Sequence, residues 1–535
     1  MNRYYRLVSS FVLVGSIVFL CSMSACSHCD FRGTRVLHKA HLSSAWYSSD
    51  LALLRSDLQN HFVLARNNFS VSGDPAQVRA LIVPHAGHYY SGLCAASAYW
   101  TVDPEISKVI VLAPSHQAVF SGVALPDYDE YQTPLGTIPV DRSSIEQLKK
   151  TTVFKTVPGA YDHEHAVEVQ LPLLQGRLKS FSIVPLIVGE IDDGGYEKVA
   201  ETLSKIIDTR TLVVVSSDFL HHGPNYRYDL FTENILRSIR RVDSQAVRAI
   251  FSLSIPEFDA MLDRTKSTIC GRNAIKILLQ LITRGSFGSV SCRLASYYTS
   301  AQMTAARTGR EIDVVKLFGD LPDSDAKNSV SYAGLVFTNQ PLGILPAHDQ
   351  LTSYEKRALL TLARDSITNK LMGNSIPEHL LYPILSDGVR QIAGAFVTLN
   401  KHDGSLRGCI GQITTNEPLF KTIASIAQSS AFQDGRFMPL TKDELDDVEI
   451  DITVLTPPRK VAGYRDIIVG KHGIILKKQV EDGIRSAVYL PQVSKSFGGD
   501  LEKMLSSLSR KAGLRSDDWR SGCEFEVFEG YEFRE

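Results

Sequence analysis

Several apolar runs of this chain end in a residue that can bind a metal ion. The run LIVPH ends at His85, VIVLAPSH ends at His116, and VVVSSDFLH ends at His221, while Cys270 follows in STICGRN. Buried parallel strands deliver polar side chains to one edge of a sheet, where α/β proteins keep their sites. Imidazole, thiolate and carboxylate groups suit iron, copper or zinc. The pattern predicts an α/β fold with a metal site at this edge.

Each of these residues also has a simpler interpretation. A lone buried histidine is more often a hydrogen-bonded core residue than a ligand, and cysteine is among the most frequently buried residue types. Several strand ends that carry one ligand chemistry are hard to obtain by chance, however. We therefore expect the strand-end residues to share one site.

The length of the chain predicts more than one domain. A chain of 535 residues exceeds the size that one hydrophobic core serves. Proline and glycine interrupt the segment QPLGILPAH, which follows the strand-like SYAGLVF and precedes a helical pattern. We predict a first domain over residues 35–338, a linker over 339–352 and a second domain over 353–535.

The two predicted domains differ in pattern. In the first domain, apolar runs alternate with helical patterns such as YEKVAETLSKIID, which predicts an α/β domain with a central, mostly parallel sheet covered by helices. In the second domain, VEIDITVL alternates as a half-buried strand does, and EPLFKTIASIAQSSAF has a helical period. The second domain is therefore predicted to be α+β.

The first 26 residues have the order of a secretory leader. Arg3 and Arg6 precede the apolar stretch LVSSFVLVGSIVFL, and small residues follow before Cys26. The segment before Cys26 resembles a bacterial lipobox, which implies a diacylated N-terminus tethered to a membrane face. The alternatives are an ordinary signal peptide and an uncleaved inner-membrane anchor with a cytoplasmic body. We predict a membrane-associated lipoprotein with a signal peptide over residues 1–26.

Charge and missing motifs exclude several function classes. The formal net charge is -1 at pH 7 and no Lys/Arg-rich block occurs, so nucleic acid is not expected as a partner. The sequence lacks the GxxxxGK[ST] loop and the GxGxxG fingerprint, and also the HExxH and GxSxG motifs. Nucleotide-dependent and common hydrolytic chemistries therefore lack support, and a small-molecule substrate is expected.

The first domain resembles the Memo family. The motifs that carry the resemblance are VPHAGHYYSG, LAPSHQ, DHEHAVEVQLPLL, SSDFLHHG, CGRNAI and SYAGLVF, in this order within residues 80–337. The Memo fold is similar to that of class III extradiol ring-cleaving dioxygenases, which hold a non-haem Fe(II) between two histidines and a carboxylate. The resemblance therefore implies a non-haem metal centre in the first domain.

By this resemblance, His85, His116 and Cys270 are the metal ligands, with Fe(II) as the first cofactor and copper or zinc as alternatives. Cys270 stands where the dioxygenases have a carboxylate, and a thiolate changes the potential of iron and competes for oxidation. Asp218 and His221 fall where a catalytic pair is expected, with His221 moving protons and Asp218 orienting it. The substrate is not identified.

The motif DHEHAVEVQLPLL has its own spacing. His165 and Glu168 lie three residues apart, so on a helix they share a face, where a carboxylate can raise the basicity of an imidazole. We predict both as site residues. The alternative is a helix start in which Asp162 caps the first turn and Glu164 favours the positive end of the helix dipole.

The second domain resembles the AMMECR domain family over residues 350–535. Its motifs are LRGCIG, DGRFMPLT, VEIDITVLTPP, KHGIIL and YLPQV. AMMECR proteins and Memo-type proteins occur with radical-SAM proteins in the AmmeMemoRadiSam system, as its proteins A and B respectively. A radical-SAM partner is therefore expected if the body of this chain is cytoplasmic. Arg407 is the candidate for binding an anionic cofactor, and Cys409 is a possible nucleophile. The alternative is a tight glycine turn with Cys409 buried.

Two functions of different class remain open. The first is an iron- or copper-dependent oxidoreductase that acts on a small substrate. The second is a non-catalytic metal-binding or interaction protein that is tethered to a membrane. The complete set of ligand residues favours the first.

Overall fold

The computed structural model describes residues 35–69, 74–192, 194–314, 316–318, 321–339, 351, 353–373, 389, 391–481 and 483–535. The predicted leader lies outside these residues, as does most of the predicted linker. Among the described residues, every helix is too short or too polar to span a lipid bilayer.

The first domain is a mixture of strands and helices. Its strands are β1 (Leu37–His38), β2 (Val78–Val83), β3 (Lys108–Pro114), β4 (Val123–Leu125), β5 (Glu130–Thr133), β6 (Gly136–Pro139), β7 (Phe154–Thr156), β8 (Ser182–Val188), β9 (Thr211–Ser216), β10 (His221–His222), β11 (Ser291–Thr299), β12 (Arg307–Thr308), β13 (Glu311–Ile312) and β14 (Ser329–Thr338). Its helices are α1 (Leu51–Asn68), α2 (His88–Tyr99), α3 (Arg142–Leu148), α4 (His165–Glu168), α5 (Gln170–Arg177), α6 (Gly195–Ser204), α7 (Ile235–Phe251), α8 (Ile255–Thr265), α9 (Arg272–Thr283), α10 (Ser300–Ala306) and α11 (Asp323–Ala326).

One large mixed sheet organises this domain, in the order β10-β14-β2-β9-β3-β8-β4-β7, with β11 paired to β14. The central strands β2, β9, β3 and β8 run parallel to one another. The pairs β14–β2 and β4–β8 on either side are antiparallel. The predicted α/β class is confirmed, and the parallel strands form the centre of a mixed sheet.

The register of the central strands brings their carboxyl ends to one level. Val83 of β2 pairs with Ser216 of β9, and Val215 pairs with Leu112 of β3. All six residues of β9 are buried, as expected for a strand covered by helices on a parallel sheet. Helix α2 packs on β2 and β14, and helix α9 packs on β3 and β9. The residues that follow β2, β3 and β9 therefore meet at one edge.

The second domain is rich in sheet. Its strands are β15 (Ala395–Lys401), β16 (Leu406–Gln412), β17 (Val448–Leu455), β18 (Arg459–Val461), β19 (Gly473–Val480), β20 (Gly483–Tyr489), β21 (Cys523–Phe528) and β22 (Gly530–Arg534). Its helices are α12 (Ser353–Leu371), α13 (Leu419–Phe432) and α14 (Leu501–Lys511). The strands form two four-stranded antiparallel sheets, in the orders β16-β15-β17-β22 and β18-β21-β19-β20.

The motif LRGCIG forms the strand β16, so the interpretation as a tight turn is wrong. Helix α13 packs closely on this strand. A Cβ atom at Gly408 would lie 2.2 Å from the carbonyl oxygen of Ser430 in α13, and one at Gly411 would lie 2.3 Å from the ring of Phe396. The glycines therefore permit close packing and do not serve a turn.

Candidate metal centre

His85 presents its Nε2 atom to the centre. It lies two residues beyond β2 and is 2% exposed. Its Nδ1 atom is 3.0 Å from the hydroxyl oxygen of Ser216, which donates its own proton to the carbonyl oxygen of Ala166 at 2.7 Å. The hydroxyl must therefore accept from Nδ1–H, which leaves a lone pair on Nε2. That Nε2 atom lies 3.2 Å from Cys270 Sγ.

His116 is held in the same tautomer by a carboxylate. It follows β3, its Nδ1 atom is 2.9 Å from Glu164 Oε1, and its backbone N–H donates to Glu164 Oε2 at 2.6 Å. An ionised carboxylate only accepts, so Nδ1 carries the proton and Nε2 is free. Burial alone would raise the pKa of Glu164, but the hydrogen bonds from His116 outweigh it, and this pKa lies below its ordinary value. Glu164 therefore stays ionised behind the imidazole.

Cys270 is the third residue of this group. Its sulfur accepts from the backbone N–H of Asp218 at 3.2 Å. A Cβ atom at Gly271 would lie 2.4 Å from Ser217 Cβ, so glycine lets the chain approach the end of β9. Ligand atoms of His85, His116 and Cys270 all lie within 4.8 Å of one another. The structure thus brings the three predicted ligands together.

The centre favours neutral groups in the absence of a cation. Burial, followed by the charge of Asp218, raises the pKa of the Cys270 thiol far above neutrality. Burial, together with the neighbouring imidazoles of His116 and His165, lowers the pKa of His85 far below its ordinary value. A metal ion that binds here therefore finds a neutral imidazole and must displace the proton of the thiol.

His165 joins the centre through a second group of ligand atoms. His116, Glu164 and His165 also have ligand atoms within 4.8 Å of one another. The ring of His165 stacks on His116, with centroids 4.5 Å apart, and Trp46 packs against it at 4.2 Å. Burial and the adjacent His116 lower the pKa of His165 to about 4, so its ring is neutral near pH 7. His165 lies where it can accept a proton or bind a second ion.

Asp218 and His221 lie near the centre but have separate partners. Asp218 accepts from the backbone N–H groups of His85 and Ala86 at 2.8 and 3.3 Å, which fixes the loop after β2. The Nδ1 atom of His221 lies 3.0 Å from the carbonyl oxygen of Phe219. In the described residues, therefore, a backbone carbonyl orients His221, and the predicted orienting bond from Asp218 is not found. The Nε2 atom of His221 keeps its lone pair.

Glu168 does not share the centre with His165. Helix α4 has only four residues, and Glu168 at its end is fully buried. Its carboxylate accepts from the backbone N–H groups of His41 and Leu42 and from the hydroxyl groups of Tyr47 and Tyr131. His165 and Glu168 lie in one turn of α4, as their spacing predicts, but the hydrogen-bond partners of Glu168 are not ligands of the centre, and Glu168 anchors the segment that contains His41 and Tyr47.

A cleft of about 410 Å³ opens beside the centre. His116 and Cys270 line it together with apolar and polar side chains, among them Phe120, Ile269 and Asn273. Asn273 donates to the carbonyl oxygen of Gly189 at 3.0 Å and accepts from Tyr196, so its orientation is fixed. The cleft gives a small molecule access to the predicted ligands.

Two residues of the centre were not predicted as site residues from the sequence. Glu164 is the N-cap of α4, where its side chain accepts from the Ala166 N–H, and it also holds His116. The assignment of the helix cap to Asp162 is therefore wrong. The sequence signal that could have identified Glu164 was a carboxylate between two histidines in DHEH. Trp46 had no signal, because its contact with His165 joins distant parts of the chain.

Glu164→Gln is expected to weaken metal binding by about 10- to 100-fold, because an amide cannot raise the basicity of His116 as a carboxylate does. Metal affinity measured by competition with a chelator tests this. Glu190→Gln is the matched control, since Glu190 lines the same cleft but its side chain is 68% exposed. Equal affinities of Glu164→Gln and the parent would contradict the role given to Glu164.

Arg407 in the second domain is committed to a carboxylate. Its Nε and Nη2 atoms donate to Glu444 at 2.8 and 2.9 Å, and Nη2 also donates to the Met438 carbonyl oxygen. The hydrogen bond from Arg407 lowers the pKa of Glu444 to about 2. Cys409 is half-buried, and its sulfur accepts from Thr398 at 3.3 Å. The predicted role of Arg407 in binding a cofactor stays a prediction, with most of its donors already engaged.

Arg407→Met is expected to destabilise the second domain by about 1–3 kcal/mol, because Glu444 loses two charge-assisted hydrogen bonds. Hydrogen–deuterium exchange of the full chain, followed on peptides from residues 395–535, measures the change. Arg436→Met is the control, since Arg436 also pairs with a carboxylate, Asp434, but its side chain is 56% exposed. A larger loss for Arg436→Met would contradict this assignment.

Comparisons with known proteins cover both domains. The sequence model described as Memo-like protein matches residues 38–310, and the model described as AMMECR1 matches residues 360–533. Protein MEMO1 of Xenopus laevis is 33% identical over 296 residues, which cover 54% of this chain and 97% of that protein. Protein MEMO1 of Homo sapiens is 32% identical with the same coverage. The crystal structure of uncharacterized protein PH0010 from Pyrococcus horikoshii is 35% identical and covers 33% of this chain and 89% of that chain, with a TM-score of 0.29.

Proposed function

Because this chain belongs to the Memo-like protein family and carries an AMMECR1 domain, as its motifs predicted, we propose that its first domain is a metal-dependent oxidoreductase. Iron is the first candidate for the metal, and copper is the second. The observation that carries the proposal is the convergence of His85 Nε2, His116 and Cys270 Sγ beside an open cleft. The substrate is a small molecule that enters this cleft.

The donor set fits a transition metal. Both imidazoles carry their proton on Nδ1, where Ser216 and Glu164 hold it, so both offer Nε2. Cys270 adds a soft ligand, and two imidazoles with one thiolate suit iron, copper or zinc better than magnesium or calcium. When bound, iron or copper supplies redox chemistry at open coordination positions.

The protein groups around the ligands supply binding and proton movement. His221 has a free Nε2 atom and a ring oriented through the Phe219 carbonyl oxygen, so it can take a proton from a substrate hydroxyl group. Burial raises the pKa of Asp218, which accepts from the backbone N–H groups of His85 and Ala86. The Tyr226 ring packs at 5.3 Å from His221 and gives that side of the site an aromatic wall.

The test is metal analysis of anaerobically purified protein, followed by oxygen uptake with a panel of small phenols and catechols. Near-stoichiometric iron and substrate-dependent uptake that His221→Ala reduces support the proposal. Bound copper or zinc without any uptake favours the alternative, in which the chain binds metal without turnover. Protein that takes up none of these metals even after incubation with them overturns the proposal.

We propose that the chain is a lipoprotein attached through Cys26. Support comes from the order of charged, apolar and small residues before Cys26. Cys26→Ser is expected to move most of the protein from the membrane fraction to the soluble fraction, and immunoblotting of separated fractions measures it. Unchanged partition contradicts lipid attachment and favours an uncleaved anchor, which also permits the proposed cytoplasmic radical-SAM partner.

A further inference from the structure

A second cleft lies at the opposite edge of the large sheet. The metal centre follows the carboxyl ends of the strands, whereas this cleft is lined by residues 179–181, just before β8 begins. Its other walls are one face of α1, the end of α5 and the strand β6. The cleft has a volume of about 660 Å³, and we name it the basal cleft. Its size suits a small organic molecule.

The floor of the basal cleft is apolar. Leu58 and Phe62 of α1 line it, as do Ile138 of β6 and Leu178 after α5, and each of these is less than 9% exposed. Trp100 lies among them and is only partly buried. A hydrocarbon or aromatic body can therefore be buried against this floor.

The rim of the basal cleft is cationic. Its eighteen lining residues include Arg55, Arg66, Arg177 and Lys179, and none of the eighteen is an aspartate or a glutamate. Lys179 is already paired with Glu105. In the part of the chain that the structure describes, Arg55 and Arg66 have no ion pair with a carboxylate. Two guanidinium groups thus border an apolar floor without a neutralising partner.

The guanidinium groups converge on one indole ring. The Cζ atoms of Arg177 and Arg66 lie 4.8 and 5.9 Å from the centroid of the Trp100 ring. Arg177 is held in place because its Nε atom donates to the Val102 carbonyl oxygen at 2.8 Å. The positive charges are therefore arranged around the aromatic part of the floor.

Helix dipoles explain only part of this arrangement. Arg66 and Arg177 lie in the last turns of α1 and α5, where a cation is favourable. Arg55 lies in the second turn of α1, where the dipole offers it no advantage. We propose that the basal cleft binds a small amphipathic anion. Its carboxylate or phosphate head binds at Arg66, and its apolar body packs on Leu58, Phe62 and Ile138. Arg55 lies about 16 Å from Arg66 along α1 and adds to the positive charge of the rim. This site is separate from the metal centre.

The test is isothermal titration of the full-length chain with 2-naphthoate and with the neutral 2-naphthalenemethanol. We expect saturable binding of one naphthoate per chain and binding of the alcohol that is at least about tenfold weaker, because the alcohol forms no charge-assisted hydrogen bond. Arg55→Gln with Arg66→Gln is expected to weaken naphthoate binding by at least about tenfold. Arg241→Gln, at an exposed arginine of α7, is the matched control and is expected to bind as the parent does.

Three results would overturn the proposal. They are no saturable binding to the parent, equal binding of acid and alcohol, and equal binding by the double variant. A variant that carries His85→Ala and His116→Ala separates this site from the metal centre. Naphthoate binding that persists in this histidine variant supports the basal cleft. Binding that is lost in the histidine variant but unchanged in the Arg55→Gln, Arg66→Gln variant assigns the anion to the metal centre instead.

Discussion

A variant with His85→Ala, His116→Ala and Cys270→Ser is expected to lose nearly all of the iron that the parent binds, from about one ion per chain to below about 0.1. The reason is that the three side chains supply the ligand atoms that lie within 4.8 Å of one another. Elemental analysis of parent and variant, purified side by side without oxygen, measures the difference.

The variant should remain folded, which makes the comparison meaningful. The changes remove atoms near an open cleft and leave intact the hydrogen bonds from Gln170 to Ser216 and from Ser216 to Ala166. Circular dichroism should therefore match the parent. His402→Ala is the matched control, because His402 is 57% exposed in the second domain. Iron retained by a folded triple variant at the level of the parent would show that the metal binds elsewhere.

The positions of His85 and His116 could be predicted because strand ends obey a simple rule, whereas the assignment of His85, His116 and Cys270 as the ligands was implied by the resemblance to the Memo family. His85 and His116 follow short apolar runs that are typical of buried strands, and parallel strands bring such positions to one edge. Glu164 was not accessible in the same way, because its hydrogen bond to His116 spans 48 residues. A sequence pattern reports local periodicity, and it does not report which distant side chain completes a hydrogen bond.

Two local interpretations failed for a related reason. The spacing of His165 and Glu168 places both in one turn of α4, but the carboxylate of Glu168 accepts from donors of His41, Tyr47 and other distant residues and contacts none of the predicted ligands. The glycines of LRGCIG are compatible with a turn and with close packing, and only the position of α13 decides between them. In both cases a neighbour from elsewhere in the chain settled what the local sequence left open.

Glu168→Ala is expected to destabilise the first domain by about 3–5 kcal/mol, the cost of removing one partner of a buried charge network. The carboxylate is fully buried and also lies 2.9 Å from His41 Nδ1, in addition to its bonds from two backbone N–H groups and two tyrosines. Alanine leaves these donors without an acceptor in a space that water does not readily fill. Denaturant unfolding followed by circular dichroism measures the loss, and Glu201→Ala, whose side chain is 51% exposed, is the control.

The stability difference between the parent and Glu168→Ala is expected to depend on pH. Burial by itself would raise the pKa of Glu168, but the hydrogen bonds from His41 and Tyr47 outweigh it, and this pKa lies below the ordinary value of 4.5. A carboxyl group whose pKa is lower in the folded state stabilises the protein above its unfolded pKa, and this stabilisation is lost as the pH falls. The hydrogen bond with Glu168 also raises the pKa of His41 above its ordinary value of 6.5. The difference in unfolding free energy between parent and Glu168→Ala should therefore be largest between about pH 4.5 and 6.5, shrink at lower pH as Glu168 is protonated, and shrink at higher pH as His41 loses its proton.

Metal content distinguishes an anchoring role of Glu168 from a role in the centre. Because Glu168 contacts the segment of His41 and Tyr47 and none of the three predicted ligands, Glu168→Ala should bind iron as the parent does under conditions where both are folded. A folded variant with normal stability and no iron would contradict the anchoring role. It would instead return Glu168 to the site that its spacing from His165 first predicted.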